Sequence, residues 1–428
     1  MKLQTNRIPG LLMTEHIFEV PLDHANPNGT KIEVFGREVV SPAKENDDLP
    51  WLVFLQGGPG FGSPRPLDDS GWLGVALKEF RVFLLDQRGT TNRSTKVSAL
   101  SLSHLSAEEQ AEYLTHFRAD SIVRDAELIR KELVGAPWSA LGQSYGGFCI
   151  TAYLGIAPEG LKEAFVTGGI PSADRHIDDI YRETCKFIIE KNDIYYERYP
   201  QDVKAVKEIV TYLQNNEVFL PNGDILSVRR FLCVGLNFGF QSGYETAHYQ
   251  VENAFENTAS GRKLSYTFLK GVEQVLAFDT NPIFAILHES IYTQGFASKW
   301  SADRMLEEYP EFSYDLDRVL FTGEMVFEWM FEELGQLKPL QKAANILAEK
   351  ADWGQIYNPE RLSENKVPVA CAVYYNDMFV NKKYSQETID RTPNMIGWYT
   401  SVYEHCGLRV GGATILPRLI KMARGEVY

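Results

Sequence analysis

The chain has 428 residues, 44% hydrophobic and 23% charged, the balance of a folded globular protein rather than a disordered or collagen-like one. At roughly 150 residues per domain, that length suits two or three domains, or one large α/β domain with an insertion. A net charge of −14 argues against nucleic acid as a partner, and no run of 18 apolar residues marks a transmembrane helix.

The first twenty residues, MKLQTNRIPGLLMTEHIFEV, hold no apolar core of signal-peptide length, so a cytoplasmic protein is expected. Residues 15–40 read as a β-hairpin: HIFEVPL, the polar turn DHANPNGT, then KIEVFGREVV. Trp51–Leu55 (WLVFL) and Arg81–Leu85 (RVFLL) are short buried strands. Residues 107–134 carry a helical period. Trp138–Leu141 is a strand running into GQSYGGF and a helical CITAYLGIA, and Glu163–Thr167 is another strand. Strands alternating with helices predict a mostly parallel sheet covered on both faces.

From about 172 to 345 the sequence is aromatic and helical in pattern, with one short β run expected near Glu217–Leu220. Strand character returns at 367–375 (VPVACAVYY), and 411–425 reads as a closing helix. The expected organisation is a core over 1–171, a helical cap over 172–345, and the rest of the core over 346–428. Five cysteines, with no CxxC pair, read as reduced buried thiols.

The sharpest chemical signal is Gly142-Gln143-Ser144-Tyr145-Gly146, a G-x-S-x-G placed between a strand and a helix. A tight turn there needs small flanking residues and holds the serine out at the C-terminal edge of the sheet. A nucleophilic serine needs a base and an orienting acid, in the chain order Ser, Asp or Glu, His for an α/β-hydrolase. Of eight histidines, only His405 lies beyond the cap. Of the aspartates beyond 340 (Asp352, Asp377 and Asp390), only Asp377 directly follows a buried strand. Glycines in Gln56-Gly57-Gly58-Pro59-Gly60 let backbone N–H groups approach a carbonyl oxygen. The N–H groups of Gly58 and Tyr145 are the expected oxyanion pair. This cluster lacks the G-K-[ST] ending of a phosphate loop. Asp86-Gln87-Arg88-Gly89 is expected to tie loops together behind the site.

GGPG after one strand, DQRG after the next, GQSYGGF, and a late D…EHCGLR together resemble the proline iminopeptidase (prolyl aminopeptidase) family of serine peptidases. The similarity is greatest to its longer members, which carry segments like LQGGPGF-SPRP, TGGIP, FTGEM and EHDGLR. It runs over nearly the whole chain, most strongly at 51–95, 138–171, 321–331 and 367–411. Four features depart from the pattern, the first being Asn376 before the expected acid. GTGRS after DQR reads Gly89-Thr90-Thr91-Asn92-Arg93-Ser94, Cys406 replaces an Asp, and Gln56 stands where many hydrolases have His.

The resemblance implies an α/β-hydrolase fold with an inserted, mainly helical cap. It also implies a serine aminopeptidase that takes short peptides with a free N-terminus and prefers proline, and that uses no metal or organic cofactor. In this family cap glutamates hold the substrate amine, which makes Glu289, Glu324 and Glu245 the candidates here, Glu289 and Glu324 first. The aromatics Phe327, Trp329 and Phe331 could line a prolyl slot or simply be cap core. The alternative is an ester or amide hydrolase with the same machinery and no amine recognition.

Overall fold

WLVFL and RVFLL lie side by side as parallel strands at the centre of the sheet in the computed structural model of the chain, which describes residues 1–276 and 278–427. In chain order the strands are β1 Lys2–Ile8, β2 Leu11–Pro21, β3 Lys31–Val40, β4 Trp51–Leu55, β5 Arg81–Leu85, β6 Trp138–Gln143 and β7 Leu161–Thr167. After these come β8 Phe255–Thr258, β9 Gly261–Leu264, β10 Val369–Tyr374 and β11 Met395–Thr400. The main sheet runs β1-β2-β3-β5-β4-β6-β7-β10-β11. Pairing is antiparallel from β1 to β5 and parallel from β5 to β11.

Period-two alternation divides each central strand between two cores. Val53, Leu55, Phe83 and Leu85 face the helices Ala119–Leu133 and Tyr145–Ile156. Leu52, Phe54, Val82 and Leu84 face the helices Gly71–Ala76 and Gly407–Ala423. Burial on both faces is why these strands read as continuous apolar runs.

The chain steps from β4 to β5 on one side and returns through β6 on the other. The C-terminal ends of β4 and β6 therefore meet where the strand order reverses, the place where open α/β sheets build their sites. Between β7 and β10 the chain leaves the sheet and is mainly helical, beginning with the long helix Ile177–Arg198.

Several expectations need correcting. The helical stretch 107–134 is two helices, Ala107–Thr115 and Ala119–Leu133. The first starts with a capping box between Ser106 and Glu109, and the break buries Phe117 in the core. At 217–220 there is only an isolated bridge, Phe219 to Ile225. The β structure of the insertion is the β8–β9 hairpin, whose exposed, polar residues give no alternating apolar signal. β1 and β11 were not foreseen either. Both are edge strands with mostly solvated side chains.

Candidate active site

Ser144 sits between β6 and the helix Tyr145–Ile156 with φ 54° and ψ −125°, a left-handed conformation that costs a non-glycine residue on the order of 1–3 kcal/mol. The neighbouring glycines make the turn possible. A β-carbon on Gly146 would lie 1.9 Å from the Leu55 carbonyl oxygen, and one on Gly57 would lie 2.9 Å from Ser144 Cβ. Gly146→Ala should therefore push the elbow off β4. The expected cost is at least about 1–3 kcal/mol, read as a lower Tm, together with slower fluorophosphonate labelling of Ser144. An unchanged Tm and labelling rate would mean that the turn is not held by this contact.

The serine hydroxyl lies 2.8 Å from His405 Nε2, and His405 Nδ1 lies 2.7 Å from Asp377 Oδ2. The other Asp377 oxygen accepts from the Phe379 and Val380 N–H groups at 2.8 and 3.1 Å. This leaves Nδ1–H to donate to the carboxylate and Nε2 to accept from Ser144 O–H. Burial acts to lower the His405 pKa, but the charge and hydrogen bond of Asp377, helped by Glu324, raise it above 6.5 overall. The other two aspartates lie elsewhere. Asp352 is exposed and paired with Lys350, and Asp390 accepts from Gln386 on an outer helix.

The loop carrying His405 is tied to the inserted segment. His405 N–H donates to the Gly239 carbonyl at 3.0 Å, Gln241 N–H donates to Cys406 Sγ at 3.2 Å, and Lys191 Nζ bonds Glu404 at 2.8 Å. Lys191 is buried, and a buried ion pair broken on one side typically costs about 3–5 kcal/mol. Cys406 thus serves as a hydrogen-bond acceptor. Behind β5, Asp86 gathers Arg65, Thr91 and the Ser63 N–H, while Arg88 forks onto Asp125. Both tie loops together, as expected of DQRG.

Gly58, Ser144 and Tyr145 share the wall of a narrow cavity of about 30 Å³. Tyr145 is the first residue of its helix, so its N–H has no intrahelical acceptor. Tyr181, Tyr292 and Glu324 close the cavity from the inserted segment. Burial pushes the Glu324 carboxyl up to about 7, against the pull of His405. His288 beside it is buried and lowered to about 4, which leaves it neutral at pH 7. A second cavity of about 250 Å³ opens from the same serine, sharing Gly58, Glu324 and Phe379.

Of the three glutamates predicted to face the substrate, the structure brings only Glu324 to the serine. Glu289 is buried outside the cavity wall. One of its oxygens accepts from Ala302 N–H at 2.9 Å, at the start of the helix Ser301–Leu306, and the other has no hydrogen-bond partner among the described residues. Burial raises its pKa to about 7. Glu245 is a correction: its partly exposed carboxylate pairs with Arg198, away from both cavities, because its helix turns that face to solvent. Phe327, Trp329 and Phe331 are packed core and do not line either cavity. The aromatic walls are Tyr181, Tyr292 and Phe148 instead. The first two come from segments that carry no motif, and Phe148 was visible only as the end of GQSYGGF.

The model of the alpha/beta hydrolase fold matches residues 50–208. The chain is 48% identical over 420 residues to the proline iminopeptidase of Aeromonas sobria, covering 97% of this chain and 98% of that one. It is 33% identical over 430 residues to the proline iminopeptidase aneH of Aspergillus aculeatus, covering 98% and 95%. Among solved structures, the proline iminopeptidase of Mycobacterium smegmatis superimposes with a TM-score of 0.45 at 14% identity, covering 96% of this chain and 100% of that one.

Proposed function

The chain belongs to the proline iminopeptidase family of α/β-hydrolases, and from that premise we propose that it is a serine aminopeptidase releasing an N-terminal residue, preferably proline, from short peptides. The observation that carries this reading is a half-buried carboxylate, Glu324, on the wall of the same narrow cavity as Ser144. Among the described residues this carboxylate has no hydrogen-bond donor, and only the charge of His405 favours its ionised form before a cation arrives. A substrate ammonium desolvated beside it gains a charge-assisted partner and is fixed in orientation.

Ser144 Oγ attacks the first peptide carbonyl while His405 Nε2 takes its proton. Asp377 keeps Nδ1 protonated and stabilises the imidazolium. The Gly58 and Tyr145 N–H groups receive the oxyanion, in a site where their dipoles are already oriented. His405 then protonates the leaving amine, and water hydrolyses the acyl-enzyme by the reverse proton path. Glu324 binds the amine, and Glu289 adds a second buried negative charge behind Tyr181. Residues 172–345 act as a cap over a core of 1–171 and 346–428, so a substrate enters between the two. The proposed setting is the cytoplasm. Among the described residues, no helix is long and apolar enough to cross a membrane.

The test compares a prolyl arylamide with its N-acetyl form. The aminopeptidase reading expects the free amine to be cleaved at least about 30-fold faster in kcat/KM, the lower bound for losing one partner of a buried charge pair. A ratio near one would favour an esterase or amidase without amine recognition.

A further inference from the structure

The two cavities that meet at Ser144 differ in charge. Glu324 is the one carboxylate on the wall they share, and Arg409 is the one Lys or Arg among the residues lining either. Arg409 stands four residues after His405, in the first turn of the closing helix Gly407–Ala423, on the wall of the larger cavity only. Its side chain is exposed, and among the described residues it makes no hydrogen bond or ion pair. It is close enough to His405 to oppose the rise in that residue's pKa. In a chain of net charge −14, an unpaired guanidinium on this wall is a cationic docking point for an anionic group. Away from Gln56, Gln143 and the reacting groups, the larger cavity is walled by apolar residues, among them Phe61, Leu236, Phe240 and Phe284.

On the aminopeptidase reading the released residue lies toward the narrow cavity walled by Tyr181 and Tyr292, which leaves the larger one for the leaving group. We infer that Arg409 binds the C-terminal carboxylate of a dipeptide, and that the preferred substrates are dipeptides with an apolar second residue. This inference rests on the aminopeptidase reading and adds a substrate class to it. In a dipeptide the ammonium and the carboxylate lie on opposite sides of the scissile bond. Glu324 and Arg409 match that pairing, one on the shared wall and one on the leaving-group side. A guanidinium suits the task because its planar fork binds a carboxylate through two parallel N–H bonds. The aromatic walls suit an apolar side chain, which leaves the main-chain carboxylate as the group for Arg409 to read. In a longer peptide the C-terminus lies farther from the serine, and an amide nitrogen replaces the charge.

The experiment measures kcat/KM for prolyl-phenylalanine, its C-terminal amide, prolyl-glutamate amide and a prolyl arylamide, in the wild type and in Arg409→Gln and Arg409→Lys. The expected wild-type ratio of free acid to amide is about tenfold or more, falling to near one in Arg409→Gln and to an intermediate value in Arg409→Lys. A wild-type ratio of one or less overturns the inference without needing any variant to fold. So does a ratio that survives in Arg409→Gln. If prolyl-glutamate amide matches prolyl-phenylalanine, Arg409 reads an acidic side chain and the dipeptide assignment fails. Failure to cleave even the arylamide would remove the aminopeptidase reading itself, whereas arylamide cleavage with no acid preference removes only this inference.

Discussion

Ser144→Ala should lower kcat for a prolyl arylamide at least about 10³-fold with Tm close to wild type, as removal of a nucleophile from such a triad does. The hydroxyl is the atom that reacts, and its 2.8 Å contact with His405 Nε2 is the path for its proton. Alanine also fits the strained position no worse than serine, so the loss should be chemical rather than structural. His405→Ala and Asp377→Asn should each be severely impaired. Adding either to Ser144→Ala should change little more, because the three act as one unit. Asp352→Asn and Asp390→Asn provide the contrast and should keep their activity, since both carboxylates lie far from the histidine in outward positions. Near-wild-type turnover in Ser144→Ala, or a crippling effect of Asp352→Asn alongside a mild one of Asp377→Asn, would refute the assignment.

Glu324→Gln should lower kcat/KM for a prolyl arylamide by roughly 30-fold to several thousand-fold, the range for truncating one partner of a buried charge pair at about 2–5 kcal/mol. A small aryl ester with no amine should be hydrolysed almost as before, because it needs only the triad and the oxyanion donors. The decisive quantity is the ratio of the two, and a constant ratio would mean that Glu324 does not read the amine.

Two pH effects follow from the same carboxyl. It binds ammonium only when ionised, so the wild-type arylamide activity should fall as pH drops through about 7, where Glu324 takes up a proton, and protonation of His405, whose pKa is raised, adds its own loss. The ester profile should show the histidine alone, and in Glu324→Gln its acid limb should move to lower pH, because Glu324 helps to raise His405.

Stability should move the other way. The native state holds a proton on Glu324 from 4.5 up to about 7, where an unfolded glutamate has lost it. Stability therefore falls as pH rises through that window. At pH 8 Glu324→Gln should be more stable than wild type by up to roughly 3 kcal/mol, at about 1.36 kcal/mol per pKa unit. At pH 4 the gain should vanish.

The sequence by itself determined whatever depends on neighbours along the chain. The buried runs 51–55, 81–85 and 369–374 announce a doubly covered sheet because both of their faces are apolar. The nucleophile is legible because a strained strand-to-helix turn tolerates few residues. The acid and the base follow from chain order, since one histidine lies beyond the insertion and one aspartate ends the late strand.

Only the tertiary structure decided what depends on residues far apart in sequence. Glu324, Glu289 and Glu245 look alike along the chain, each an acid among apolar or aromatic neighbours. Folding gives one to the cavity, one to a helix start and one to Arg198 on the surface. The aromatics of 327–331 were as plausible a wall as Tyr181 and Tyr292, but packing directs the first group into the core and the second to the serine. The edge strands escaped notice because solvated side chains carry no periodic apolar signal. Arg409 is an ordinary surface arginine along the chain until the fold sets it on the wall of a cavity that also holds Ser144 and His405. A carboxylate or guanidinium takes its role from the dielectric and the charges around it. Those are assembled from segments that meet only when the inserted helices close over the sheet edge.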